Sequence, residues 1–191
     1  MAERAHKVVS SESEELILVD ADDNPLGTLS KAACHDGDGV LHRAFSLFVF
    51  NEAGELLLQR RSAEKRLWPM YWSNSCCSHP RAGETLDVAV GRRAEQELGI
   101  GCSSEFIYRF AYHARFGDLG SEREMCSVYL CRNSEGLSPN PHEIAEIRFV
   151  SPGQLEAEFA RSPEQFTPWF RMEWEALNRE HADRLRPYLA G

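Results

Sequence analysis

Cys77 and His79 stand two residues apart in Trp72-Ser73-Asn74-Ser75-Cys76-Cys77-Ser78-His79-Pro80, a run of small and polar side chains. A thiol in such a segment can carry, give or take a proton, provided local positive charge or hydrogen bonding brings its pKa into range. Further along, Glu122-Arg123-Glu124 places two carboxylates on one side of a strand. With His35 and His42 they complete a group of five candidate ligands, His35, His42, His79, Glu122 and Glu124. Such a mixed nitrogen and oxygen set suits Mn2+, Fe2+ or Zn2+ better than Mg2+ alone. Taken one at a time, these residues have plainer readings. A lone histidine is ordinarily a satisfied core or surface residue, and Glu-x-Glu on a strand is ordinarily a solvated face.

The segment that follows has its own spacing. From Ser78 to Ile100 the chain matches G-x5-E-x7-R-E-U-x-E-E-x-G-U, U being apolar, at Glu84, Arg92, Ala94, Glu97, Gly99 and Ile100. It departs at Ser78, Arg93 and Gln96. The spacing resembles the Nudix pattern, whose helix carboxylates hold divalent cations that activate water against a diphosphate. Here that cluster is thinned to Glu97, and Arg93 lies four residues before it on the same helical face. The segment is suited to holding a diphosphate and poorly suited to cutting it. A pyrophosphohydrolase would need glutamates where Arg93 and Gln96 stand. A catalytically dead binding module would have no use for Cys77, Glu124 and the five ligands together.

Cys77-Ser78-His79-Pro80, Ala33-Cys34-His35, Leu41-His42-Arg43-Ala44-Phe45-Ser46 and Glu122-Arg123-Glu124-Met125-Cys126 closely resemble, in order, the motifs of type I isopentenyl diphosphate isomerase. The resemblance runs from about residue 16 to 189. It implies that His35, His42, His79, Glu122 and Glu124 hold one divalent ion, Mn2+ first among the candidates with Zn2+ and Fe2+ open. Glu97 would reach a Mg2+ chelated by the substrate diphosphate, and no flavin is implied. Moving a double bond along a five-carbon allylic unit needs protonation at one carbon and deprotonation two carbons away, through a tertiary carbocation. The site must therefore supply an acid, a base, a water-free pocket and an electron-rich surface. The resemblance puts Cys77 and Glu124 in the acid and base roles, with the direction open, and the Tyr112 hydroxyl near Glu124. Trp169 becomes the candidate cation-stabilising ring, with a plain core anchor as the other reading. Lys31, Arg61, Lys65 and Arg93 fall to the diphosphate. Cys76 receives no role. Its place beside Cys77, and Ser78 in place of glycine, are small departures from the family form.

The elements that must position these residues follow from pattern. A strand is expected over 15–20, a turn over 22–27, a short helix or turn over 28–33 delivering His35, and a loop over 36–39. Residues 44–50 and 55–61 read as a hairpin covered on both faces. Leu86, Val90, Ala94 and Leu98 mark a helix closed by Gly99. Strands over 106–112, 125–132 and 146–150 precede helices over 154–160 and roughly 166–189. These add up to an α/β fold, a Nudix-type α/β/α sandwich with a mixed sheet and extensions at both ends. A flexible tail over 1–14 should precede a single domain over 15–191, with the Nudix-like core about 42–152 and C-terminal helices about 153–190.

The 191 residues carry a formal net charge of -9, which argues against a nucleic-acid partner. A small anion is another matter, because Arg60, Arg61, Lys65 and Arg66 gather just ahead of Arg81, Arg92 and Arg93. No apolar run approaches a membrane span, and residues 1–7 lack the core of a signal peptide, so a cytoplasmic monomer without membrane partner is expected. The six cysteines include no C-x2-C pair and are expected as free thiols, Cys102 among them.

Overall fold

The computed structural model of the chain describes residues 7–101, 103–133 and 135–189, so Cys102 lies outside the described residues. Glu15–Val19 (β1) and Pro25–Ser30 (β2) form an antiparallel hairpin. The turn expected over 22–27 is thus shorter, and residues expected as helix or turn are extended. Four of the six β2 residues are exposed and two are half-buried, so its strand character comes from pairing with β1 and leaves no apolar alternation to read. Ser30 then caps the short helix Lys31–His35 (α1) by accepting from the Ala33 N–H at 3.4 Å.

The sheet is organised around His42–Phe50 (β3), which pairs antiparallel with Leu56–Arg61 (β4) near their shared turn. Trp72–Ser73 (β5) adds to β4, and Cys76–Ser78 (β6) pairs antiparallel with β3. After the helix comes a long hairpin, Glu105–Phe116 (β7) and Gly120–Arg132 (β8), and β8 runs parallel to β3. Ile144–Val150 (β9) closes on β4. Both β7 and β8 extend beyond the expected strands. Their added ends, with His113, Arg115, Glu122, Arg123 and Glu124, carry the polar residues that apolar patterning passes over.

Side chains alternate across this sheet, and each face has its own core. Phe45, Leu47 and Val49 face the helix Leu86–Arg93 (α2) with Tyr129 and Cys131. Phe48, Phe50, Val128 and Leu130 face the C-terminal helices Pro152–Arg161 (α3), Pro168–Arg179 (α4) and Ala182–Leu189 (α5). Truncating a fully buried ring such as Phe48 to alanine would cost about 3–5 kcal/mol. The last two helices were expected as one. They part because the Glu180 N–H closes α4 on Ala176 O, while the His181 carbonyl accepts from Arg184 and Leu185 and opens α5.

Thr85 caps α2, whose last turn widens into a π-helical stretch, Ala94–Leu98, ended by Gly99 at φ 76°. Residues 7–14, part of the expected tail, lie back against the domain: Asn140 reaches Lys7 O, and the Lys31 and Ala32 N–H groups donate to Glu14 O and Glu12 O.

Candidate active site and metal centre

Three separate stretches of backbone bring the five candidate ligands together. His35 ends α1, His42 opens β3, and β8 lies parallel to β3 with Glu124 opposite His42. His79 follows β6 directly. One ligand atom from each of the five lies within 4.8 Å of the others, and all five residues are buried. The ring Nδ1 of His35 is 2.7 Å from Lys31 O, and that of His42 is 2.7 Å from Val40 O. A carbonyl only accepts, so both Nδ1 atoms carry hydrogen and both Nε2 atoms turn into the cluster. That tautomer, held by a backbone oxygen, is the one a metal-ligating histidine adopts.

Inside the cluster His42 Nε2 and His79 Nε2 stand 3.2 Å apart, and His79 Nε2 is 3.0 Å from Glu124 Oε1. His35 Nε2 lies 2.7 Å from Glu122 Oε2, yet that oxygen makes no properly oriented hydrogen bond. Burial presses His35 toward neutrality, but the Glu122 carboxylate outweighs it and raises the ring to about 9. For His79 burial wins, and its pKa falls to about 3. Burial also opposes ionisation of Glu124, and the His42 and His79 contacts overcome it, holding that carboxyl well below the usual range. Imidazole nitrogens and carboxylates converging in a buried site fit a divalent cation of the nitrogen-accepting kind.

Cys77 lines the same cavity, of about 240 Å³, as His35, His79, Tyr112, Glu122, Glu124 and Trp169. The alternation of β6 explains why adjacent cysteines differ. Cys76 points into the core beneath α2, while Cys77 points toward Ser46 and the cavity. The Cys77 thiol donates to Asn74 Oδ1 at 2.8 Å. The expectation that surroundings would help this thiol toward a lower pKa is corrected: burial, with the Glu173 charge behind it, pushes it up to about 12. It rests as a protonated thiol. Across the β7–β8 pair, Tyr112 donates to Glu124 Oε2 at 2.6 Å.

Trp169 stacks near Tyr112, meets Trp68 edge-on, and carries the Arg61 guanidinium 5.3 Å above its ring. It is thus both a core anchor and a cavity wall whose π face already takes a cation.

The basic residues divide. Lys31, Arg61, Lys65 and Arg93 all line the cavity. Burial, and after it the neighbouring Lys65 ammonium, lower the Lys31 pKa against the opposing pull of Glu12, Glu143 and Glu122. Arg61 is fixed by Trp68 O and Leu67 O at 3.0 Å each, and Lys65 pairs with Glu143. Arg93 is a surprise. Only 2 % exposed, it spends its donors on Glu97 Oε1 at 2.5 and 2.9 Å, Glu143, Val9 O and Ser10 Oγ. Glu97, equally buried, lies behind Arg93 and outside the cavity lining. Glu84, the other matched glutamate, is bound by Arg92 at 2.7 and 2.8 Å.

Sequence reading passed over three residues that hold the site. Asn74 turns its oxygen to Cys77 because its nitrogen is tied to Leu47 O and Cys76 O. Ser46 sits opposite Cys77 in the ladder. Glu143 joins Lys65 to Arg93 and, despite burial, is held at about 2 by those two cations. Asn74 and Ser46 lie within quoted motifs and were findable. Glu143, in an unpatterned loop, was not.

Residues 40–170 match the family model of the NUDIX domain. The chain is 41% identical to "Isopentenyl-diphosphate Delta-isomerase 1" of Photorhabdus laumondii, over 90% of this chain and 99% of that protein. It is 40% identical to "Isopentenyl-diphosphate Delta-isomerase" of Brevibacterium linens, over 93% and 94%. Among solved structures, a Deinococcus radiodurans protein shares 26% identity and a TM-score of 0.64 over 78% of this chain and 90% of that one. A MutT protein from Methanosarcina mazei, 22% identical at TM-score 0.61 over 74% and 95%, shows the common fold.

Proposed function

The chain belongs to the NUDIX domain family and, within it, to the isopentenyl-diphosphate Delta-isomerases, and from that premise we propose how its cavity interconverts isopentenyl and dimethylallyl diphosphate. The observation that carries the reading is a thiol, Cys77, and a carboxylate, Glu124, lining one small cavity, where burial favours the protonated thiol and the His42 and His79 contacts favour the ionised carboxylate. One group holds a proton and the other can accept one, as adding at one end of an allyl unit and removing at the other requires. Because the reaction is reversible, each serves as acid in one direction and base in the other.

His35, His42, His79, Glu122 and Glu124 would hold a divalent ion, Mn2+ first with Zn2+ and Fe2+ as alternatives. Bound there, the ion supplies positive charge that tunes the proton affinity of Glu124. Tyr112 steadies the second oxygen of that carboxyl, and Trp169 offers its ring to the tertiary carbocation. Lys31, Arg61 and Lys65 face the diphosphate. Arg93 orders the wall behind them, and a Mg2+ arriving with the diphosphate would share Glu97 with it. The cavity is small beside ordinary drug-sized pockets, which suits a five-carbon chain and keeps water from the cation. The same reading places the chain in the cytoplasm as a monomer acting on a small molecule, without nucleic-acid or membrane partner. No helix among the described residues is long and apolar enough to cross a membrane.

Incubation with isopentenyl diphosphate and Mg2+ in D2O, followed by NMR, tests the chemistry. Deuterium should enter both the product and the recovered substrate. Release of inorganic phosphate without deuterium incorporation would sink the reading in favour of hydrolysis.

A further inference from the structure

A second buried polar group lies behind Cys77 and has no part in the chemistry above. Glu173 sits in α4 one turn after Trp169 and is wholly enclosed. Its Oε1 accepts from Cys126 Sγ at 3.4 Å, and its Oε2 makes no hydrogen bond. Cys126 Sγ is 3.5 Å from Ser46 Oγ, which is itself 3.5 Å from Cys77 Sγ. On its far side Cys77 donates to the immobilised oxygen of Asn74. The sulfur therefore sits between a fixed amide and a hydroxyl that Cys126 links to a buried carboxyl.

Burying a carboxyl with an open valence is costly. The contacts of this group lead toward the reacting sulfur. We propose that Glu173 is a positioning residue for the isomerisation, holding the Cys77 sulfur through Ser46 and Cys126. The inference rests on the reading of Cys77 given above. Burial drives the Glu173 carboxyl up to about 8, so near neutral pH it carries a hydrogen. Cys126 Sγ stands between the carboxyl and Ser46, and the Cys77 hydrogen goes to Asn74, which leaves the Cys77 sulfur open to the Ser46 hydroxyl. The run Glu173, Cys126, Ser46, Cys77, Asn74 is continuous, and each contact bears on the next.

Glu173→Leu, Glu173→Gln and Ser46→Ala test the inference in steady-state assays paired with thermal melts. Glu173→Leu should lower kcat about tenfold to a hundredfold with KM within about twofold. Its melting midpoint should hold or rise, because a buried carboxyl has gone. Glu173→Gln should recover turnover to within about threefold of the unaltered chain, since its amide oxygen can still accept from Cys126. Ser46→Ala should reproduce the leucine loss, and the Ser46→Ala/Glu173→Leu pair should be no worse than either alone. A Glu173→Leu variant with unimpaired kcat overturns the inference, as do losses that merely follow a falling midpoint or are equal in leucine and glutamine. If Glu173→Leu does not fold, an unimpaired Ser46→Ala overturns it in the same way. An unaltered chain without isomerase activity overturns the functional reading and this inference with it. Normal activity in the unaltered chain beside a fully active leucine variant overturns this inference alone.

Discussion

At the scale of single residues, the two adjacent cysteines give the sharpest contrast. Alternation along β6 turns Cys77 to the cavity and Cys76 into the α2 core, where burial raises its thiol pKa and Glu97 is a neighbour. Cys77→Ala and Glu124→Gln should each lower kcat by at least on the order of a thousandfold. Cys76→Ala should leave turnover within a few-fold. Assays of the cysteine variants side by side decide the matter, and a dead Cys76→Ala beside an active Cys77→Ala would show the motif to be off by one. The arginines separate in the same manner. Arg61→Ala should raise KM about tenfold to a hundredfold, about 1.4 kcal/mol per factor of ten. Arg93→Ala strands the buried carboxylates of Glu97 and Glu143. It should appear chiefly as lost stability, about 3–5 kcal/mol in urea titration. A stable Arg93→Ala with only a raised KM would return that residue to direct phosphate contact.

At the scale of elements, the site depends on how closely α1 approaches the β7–β8 turn. Gly120 opens β8 at φ 151°, and a Cβ there would strike the His35 carbonyl oxygen. Gly120→Ala should therefore displace α1, carry His35 away from the other donors and weaken metal retention about tenfold or more, read by elemental analysis after dialysis. Full metal content in that variant would show that His35 is dispensable. The sequence made some elements plain and others not, for physical reasons. β3 and the first half of β4 are apolar on both faces, and the α2 spacing ends at a glycine whose left-handed φ the C-cap requires, so both were legible. β2, the polar ends of β7 and β8, and the split between α4 and α5 are set by pairing and capping, which leave no apolar periodicity behind. The convergence of His35, His42, His79, Glu122 and Glu124 was legible only by resemblance to a family, since nothing local to any one of them announces the other four. The enclosure of Arg93 rests on Val9 and Ser10, more than eighty positions away, and no spacing rule reaches that far.

At the scale of the whole molecule, the five-donor cluster works as a clasp. Its members come from α1, β3, the turn after β6 and β8, so an ion there joins four elements drawn from distant parts of the chain. The unfolded chain cannot assemble these donors, so binding stabilises the folded state by mass action, about 4 kcal/mol when free ion stands a thousandfold above its Kd. For a chain of this length that is a rise in Tm on the order of 10 °C. Protein stripped by a chelator should melt lower by this amount and recover on adding Mn2+, Zn2+ or Fe2+. Mg2+ alone should recover little, since it demands oxygen ligands and this cluster offers three imidazoles. His42→Ala removes one nitrogen from the centre of the cluster and should abolish most of the recovery. Equal Tm with and without a transition ion, or recovery by Mg2+ alone, would show that these donors hold the fold together as a hydrogen-bonded network and take no ion of this kind.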